Sequence, residues 1–212
     1  MANLERLRER WLALWRGVGS GEGPVNEVFV DLAAHYNEDG RYYHDFNHVD
    51  RVLTVADQLS PYAHDFTAVQ LALWFHDVVY DPRATDNEEE SAVYAAAALQ
   101  RLQLPRDTID EVLRLILATK THIAADGDVD AQVVLDADLA ALGTEWPQYL
   151  QDSGDIRQEY AYVPEPTYRQ RRRRILAGFL QRERIYQTEL LFTERETRAR
   201  QNIAREMDLL IV

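Results

Sequence analysis

The chain has 212 residues, 46% of them hydrophobic, with 23 Lys and Arg against 36 Asp and Glu and a formal net charge of −13. This length and apolar content predict one folded domain over 1–212 and exclude general disorder. The acidic balance disfavours a nucleic-acid partner, because such a surface repels phosphate backbones. Cysteine is absent, so a metal site would have to use imidazole and carboxylate groups.

Apolar residues recur at helical spacing almost throughout, and no clean strand alternation is found, so the sequence predicts an all-α fold. Capping residues, glycines and prolines set the expected boundaries. The first helix is predicted to end at the glycine-rich segment 17–23, and the second to run from Pro24 to about Glu38. The next four are predicted from a cap at Asn47 to Pro61, from Asp65 or Thr67 to about Asp77, from a cap at Asn87 towards Pro105, and from Pro105 to His122. The last four are predicted over 131–142, 147–162, about 167–181 and 193–210.

Nothing in the sequence predicts a membrane span or a signal peptide. The first 16 residues interleave charges with Leu4, Leu7, Trp11 and Leu14, and no uncharged apolar run reaches membrane length. We therefore expect a cytoplasmic protein with no membrane partner. The sequence leaves its oligomeric state open.

The segment 71–80 is apolar or aromatic except for His76 and Asp77, so it should be largely buried. Burying an imidazole and a carboxylate without partners costs several kcal/mol, on the order of the transfer penalty for polar groups. A divalent metal ion would compensate both groups. The alternative is a His that hydrogen-bonds a neighbour and an Asp that pairs with an Arg.

Two more polar residues fall inside otherwise apolar predicted helices, namely His48 and Asp138. Together with His76 and Asp77 they give two imidazoles and two carboxylates from three helices. This set suits one divalent metal ion, whose identity (Mn, Fe, Ni, Co, Zn or Mg) the sequence does not specify.

The same residues resemble the motif of the HD-domain metal-dependent phosphohydrolases: a His on one helix, a His-Asp pair on a second and an Asp on a later helix. Here these are His48, His76-Asp77 and Asp138. The chain is most similar to an uncharacterised bacterial subgroup of predicted HD phosphohydrolases, a likeness that spans about 42–206. It is carried by 43–48, 74–81, 87–92, 136–143, 156–160 and 199–202.

The resemblance implies a single HD-type helical core over about 42–162, with C-terminal helices over 167–210 packed on it. It also implies a phosphohydrolase that cleaves a phosphate ester or phosphoanhydride of a small molecule, such as a nucleotide, by metal-activated water. His48, His76, Asp77 and Asp138 would bind the metal, and Asp77 would also hold the water. Charge on the phosphoryl oxygens needs cations, for which Arg51 and Arg157 are candidates.

The sequence departs from the members that place a Glu three residues after the Asp of the pair, because Tyr80 stands there. We expect Glu88, rather than Asp81, to be the general acid or base. The departure keeps open a catalytically inactive HD domain that senses a metal or nucleotide. A di-iron oxygenase is a third possibility, and it would need His122 and a further ligand for the second metal.

Three further polar residues lie outside the four-residue motif. His44 and His122 are candidate substrate contacts, although His122 equally suits a helix C-terminus stabilised by the macrodipole. Asp136 cannot point the same way as Asp138, because a helix turns about 200° over two residues. We expect Asp136 to support the site indirectly or to pair with an Arg.

Overall fold

A computed structural model describes residues 2–16 and 21–211 of the chain, and in this part it confirms the all-α prediction. Ten α-helices are present: α1 (Ala2–Trp15), α2 (Glu22–Tyr36), α3 (Phe46–Leu59), α4 (Phe66–Phe75), α5 (Asn87–Arg101), α6 (Arg106–Ala118), α7 (Val129–Leu139), α8 (Trp146–Glu159), α9 (Glu165–Gln181) and α10 (Glu189–Leu209). Two short 3-10 helices follow α3 and α7, at Ser60–Tyr62 and Ala140–Gly143. Part of the predicted glycine-rich break, 17–20, lies outside the described residues.

Helix α4 is the centre of the core, as its apolar sequence predicts. Seven of its ten residues are buried, and it packs against α3, α5, α6 and α7. Trp74 meets Trp11 of α1 edge-on, with ring centroids 5.3 Å apart, and the Trp11 indole donates to the Val25 carbonyl at 2.9 Å. The N-terminal helix is thereby fastened to the same core through aromatic contacts.

The helix boundaries near the site are set by carboxylate caps. Asp65 caps α4 by accepting from the Ala68 N–H, as predicted. Helix α3, however, is capped by Asp45, which accepts from the N–H groups of Asn47 and His48, so the expected cap at Asn47 is wrong by two residues. Asn47 is already the second residue of α3 and its N–H donates to Asp45, whereas Asp45 has the extended backbone that a cap requires.

Helix α4 ends at Phe75, so His76 and Asp77 lie directly after the helix rather than within its last turn. The Arg41 guanidinium holds this exit by donating to the carbonyls of Asp77 and Val78 at 2.6 and 2.8 Å. The chain turns sharply here, which points two adjacent side chains into the interior.

Helix α10 packs on the 3-10 helix that follows α7. Asn202 of α10 donates to the carbonyls of Leu142 and Thr144, and a Cβ at Gly143 would stand 2.6 Å from the Cβ of Arg195. Only glycine permits so close an approach. None of the helices described is both long and apolar enough to cross a membrane.

Candidate metal centre

Three of the four predicted metal ligands meet at one point. His48 Nε2 lies 3.1 Å from His76 Nε2 and 3.3 Å from Asp138 Oδ1, and His76 Nε2 lies 3.5 Å from the same oxygen. Both imidazoles are buried, and Asp138 is partly buried. Three elements supply them: the first turn of α3, the exit from α4 and the last turn of α7.

Asp77, the fourth predicted ligand, borders this group. Its Oδ2 lies 3.1 Å from His76 Nε2 and 3.7 Å from His48 Nε2. We call His48, His76, Asp77 and Asp138 the HD cluster. The structure thus brings the four predicted ligands together, with Asp77 slightly farther from His48 than the others are.

The spacing of the cluster fits a single metal ion. Adjacent ligand atoms about 2.0–2.2 Å from a tetrahedral or octahedral ion stand roughly 2.8–3.6 Å apart, and the separations among the His48, His76 and Asp138 atoms fall at 3.1–3.5 Å. His76 is also oriented as metal-binding imidazoles usually are, because its Nδ1 hydrogen-bonds the Leu73 carbonyl at 3.0 Å. Nε2 is therefore the nitrogen that faces the cluster.

The electrostatics of the cluster show two acidic groups held ionised by imidazoles. Burial opposes ionisation of Asp138, but hydrogen bonds from His122, His48 and His76 hold its pKa well below the usual range. Burial likewise disfavours a charged His76, yet the adjacent Asp77 and Asp138 raise its pKa well above the usual value. Burial dominates at His48 and lowers its pKa. One imidazole is therefore neutral, and the other bears a proton that a cation would replace.

His122 contacts the cluster through the second oxygen of Asp138, at 2.9 Å from Nε2 to Oδ2. Its backbone is in the left-handed region, with φ of 51°, and Arg182 donates to the His122 and Thr121 carbonyls. A non-glycine residue seldom adopts this conformation. The turn after α6 thus places His122 beside a ligand, at the cost of local strain.

His44 is held by a carboxylate that the sequence did not single out for the site. Glu159 Oε2 accepts from His44 Nδ1 at 2.6 Å and from the Tyr80 hydroxyl at 3.0 Å. Glu159 Oε1 accepts three consecutive backbone N–H groups, those of residues 42–44. His44 also stacks on Tyr80, with centroids 4.1 Å apart.

This arrangement gives His44 the properties of a proton donor. Burial alone would lower the pKa of His44, but the Glu159 hydrogen bond and the charge of Asp77 outweigh it and raise the pKa. The same contacts, together with the backbone N–H groups, lower the pKa of Glu159 to about 2 in spite of its burial. Glu159 therefore stays ionised and fixes which His44 nitrogen carries the proton.

A cavity of about 580 Å³ opens beside the HD cluster. Asp77, Asp138, His44, His122 and Glu88 all line it, so the structure brings these predicted site residues to one space. Glu88 lies at the start of α5, whereas Asp81 is exposed and accepts from the Arg83 N–H in a turn. The placement agrees with the preference for Glu88 over Asp81.

The two predicted catalytic arginines do not line this cavity. Arg51 pairs with Asp152 at 3.0 Å and lies over the Tyr43 ring. Arg157 donates to Glu165 and to the carbonyls of Tyr160 and Val163. Both guanidinium groups are committed to protein partners, so the structure gives them positioning roles.

Asp136 is separated from the cluster, as the helical rotation requires. Its carboxylate accepts from the N–H groups of Gln187 and Thr188 and from the Thr188 hydroxyl, at 2.6–2.8 Å. These backbone N–H groups and the hydroxyl thus take the place of the expected Arg partner. Burial raises the pKa of Asp136 to about 6 despite these hydrogen bonds.

Glu159 and Asp152 are the site residues that sequence reasoning missed. Both are buried acids on α8, and a buried acid is a strong signal once burial is known. In the sequence, Glu159 stood out only within the Ile156–Tyr160 segment of the resemblance. Its partners lie more than 70 residues away in the chain, so spacing could not reveal them.

No family model, no curated protein and no solved structure matches this chain. The geometry of the site is therefore the main indication of function.

Proposed function

We propose that this protein is a metal-dependent phosphohydrolase of the HD type that acts on a small phosphorylated molecule. The observation that carries the proposal is the convergence of His48, His76 and Asp138 on one point, with Asp77 beside them, on the wall of a cavity. These four residues would hold one divalent ion. What such an ion supplies is polarisation of a phosphoryl oxygen and activation of a water molecule.

The chain itself supplies the groups that move protons. In hydrolysis the water oxygen forms a new P–O bond, the bond to the leaving oxygen breaks, and that oxygen needs a proton. His44 lines the cavity, hydrogen-bonds Glu159, which raises the His44 pKa, and lies four residues from His48. We assign it as the proton donor, with Glu88 as the second candidate.

The assignment of His44 predicts a dependence on the leaving group. His44→Gln should reduce kcat for an alkyl phosphate about a hundredfold, in the usual range for general acid catalysis. The same change should affect p-nitrophenyl phosphate much less, because its leaving group departs without a proton. Glu88→Gln serves as the comparison, and equal losses on both substrates in His44→Gln would refute the role.

A catalytically inactive sensor is the rival candidate. It is favoured by Tyr80, which occupies the position of the Glu in several HD proteins and whose hydroxyl donates to Glu159 instead. A di-iron site has less support. Within 2–16 and 21–211, one group of three or more suitable ligand atoms is close enough for an ion, and His122 does not belong to it.

The deciding experiment measures phosphate release by the purified chain with Mn, Co, Ni, Zn, Fe and Mg, together with metal content. Turnover that requires a divalent metal and disappears in Asp138→Asn supports the proposal. Tight nucleotide binding without turnover under any metal favours the sensor. Two irons per chain would indicate the oxygenase.

A further inference from the structure

The cavity beside the HD cluster has few positive charges available to a ligand. Its wall contains Lys120, Arg171 and Arg172. Lys120 pairs with Glu89, and Arg172 donates to both oxygens of Glu206, at 2.9 and 3.1 Å. Arg171 is exposed and forms no ion pair with any described residue.

This charge balance limits how many phosphoryl groups the cavity can accept. Each phosphoryl group needs charge-assisted donors when it leaves water. The cavity offers the HD cluster, His44 and Arg171, while Glu88 and Asp152 add negative charge to its wall. A diphosphate or triphosphate tail would meet carboxylates where it needs cations, whereas a single phosphate at the HD cluster would not.

The wall that α8 and α9 form has a different chemistry. It presents three tyrosines, Tyr149, Tyr160 and Tyr168, beside the apolar side chains of Ile156 and Ile175. Aromatic side chains suit a flat ring or the apolar face of a sugar. The size of the cavity, about 580 Å³, is in the range that encloses a molecule of nucleotide size.

Two polar atoms in this wall have no hydrogen-bond partner. Asp152 Oδ1 accepts from Arg51 and Gln148, but Asp152 Oδ2 is buried and unpartnered. The Tyr168 hydroxyl is also buried and unpartnered. A buried polar atom without a partner costs about 1–3 kcal/mol. A ligand that donates an O–H or N–H to Asp152 Oδ2 would give this atom its missing hydrogen bond.

We propose that the substrate is a phosphate monoester whose remaining part is uncharged, carries a flat ring and bears hydroxyl or amino donors. Asp152 and Tyr168 would recognise that part, while the HD cluster receives the phosphate. The inference rests on the proposed phosphohydrolase function. Hydrolysis would break the ester P–O bond, with water giving its oxygen to phosphorus and the proton passing to the leaving oxygen.

The first test compares four substrates with the Mn-loaded full chain: adenosine 5′-monophosphate, adenosine 5′-triphosphate, ribose 5-phosphate and p-nitrophenyl phosphate. We expect kcat/KM for the monophosphate to exceed that for the triphosphate by at least about a hundredfold, the effect of about 3 kcal/mol. Ribose 5-phosphate lacks the flat ring and therefore measures the contribution of the sugar phosphate alone. A triphosphate that is hydrolysed as well as the monophosphate would overturn the inference.

The second test changes the proposed recognition atoms. Asp152→Asn and Tyr168→Phe should each raise KM for adenosine 5′-monophosphate about tenfold, because each alters a hydrogen bond to the uncharged part. KM for p-nitrophenyl phosphate, which lacks such donors, should change less than twofold. Asp155→Asn is the matched control, since Asp155 is on the same helix and contacts Gln151 and Gln158 instead of the cavity.

Calorimetry separates failure of this inference from failure of the proposed function. If no substrate releases phosphate with any metal, the phosphohydrolase function is lost. Binding of adenosine 5′-monophosphate that weakens in Asp152→Asn but not in Asp155→Asn would still support the recognition wall. Equal binding in both variants, or no binding to the wild-type chain, would contradict it.

Discussion

Two carboxylate clusters lie beside the same cavity, and their negative charge is balanced in different ways. Glu206 of α10 accepts from Arg172, from the Tyr149 hydroxyl and from the Ser153 hydroxyl. Its negative charge is matched by a permanent cation, which together with the hydroxyl groups keeps its pKa low against the effect of burial. Protein partners thus satisfy this cluster completely.

Among the described residues, no arginine or lysine pairs with either carboxylate of the HD cluster. Asp77 and Asp138 face His48 and His76, with separations of 3.1–3.7 Å. An imidazole offers positive charge only when protonated, and its neutral form is a metal ligand. The comparison teaches that Glu206, which an arginine neutralises, is structural, while the two acids of the HD cluster, which face imidazoles, suit an exchangeable cation.

The largest expected effect comes from removing a ligand of the HD cluster. His76→Ala or Asp138→Asn should reduce metal-dependent phosphate release at least about a thousandfold, because several kcal/mol of charge stabilisation are lost. Asp136→Asn, two residues from Asp138, is the control and should still bind one metal per chain. Phosphate release and bound metal per chain are measured for each variant. Wild-type metal content in Asp138→Asn would show that the HD cluster does not bind the metal.

Next in size is the effect of breaking the arginine-neutralised cluster. Arg172→Met leaves Glu206 buried without its cation and should lower the free energy of unfolding by about 3–5 kcal/mol. Urea denaturation gives this value. Arg171→Met changes the neighbouring exposed arginine and should alter stability by less than about 0.5 kcal/mol. Similar losses in both variants would show that Glu206 does not need the ion pair.

The His44–Glu159 pair should make stability depend on pH in a bell-shaped manner. Glu159 has a pKa of about 2 in the fold against 4.5 for a free Glu, so its contribution is present above 4.5 and is lost as pH falls towards 2. His44 has a raised pKa, so its contribution is complete below 6.5 and is lost as pH rises through the raised value.

The stability difference between wild type and Glu159→Gln should therefore be greatest between about pH 4.5 and 6.5. Its size at the maximum is on the order of 3 kcal/mol, from 1.36 kcal/mol per pKa unit. Urea denaturation at several pH values measures it. A difference that is constant from pH 3 to 8 would show that the pair does not titrate as described.

The smallest expected effect is stabilisation by the metal itself. At a free Mn concentration of 100 times Kd, the folded chain should gain about 2.7 kcal/mol, which raises Tm by roughly 5–10 °C for a chain of this size. The gain should vanish in Asp138→Asn and persist in Arg171→Met. A gain of equal size in Asp138→Asn would place the binding site elsewhere.

Local physics made much of the fold predictable. Helical periodicity gave the ten helices of the described residues, and the apolar run of 71–80 gave the central one, α4. The boundaries were less predictable: α9 and α10 begin at Glu165 and Glu189, a few residues earlier than expected. Helix α9 opens on the exposed Glu165 and Pro166, which no apolar pattern marks, whereas α10 opens on Glu189 and the apolar residues 190–192, which the prediction left outside the helix.

The sequence alone determined that His48, His76, Asp77 and Asp138 would be polar groups in apolar surroundings, because burial follows from the neighbours in the chain. Only the tertiary structure decided which atoms meet. It turned Asp136 towards the backbone of Gln187 and Thr188, and it brought Glu159 to His44 across 115 residues. It also directed Arg157 to carbonyl groups rather than to the cavity. The physical reason is that burial is encoded by local periodicity, whereas the partner of a buried charge depends on how distant helices are placed.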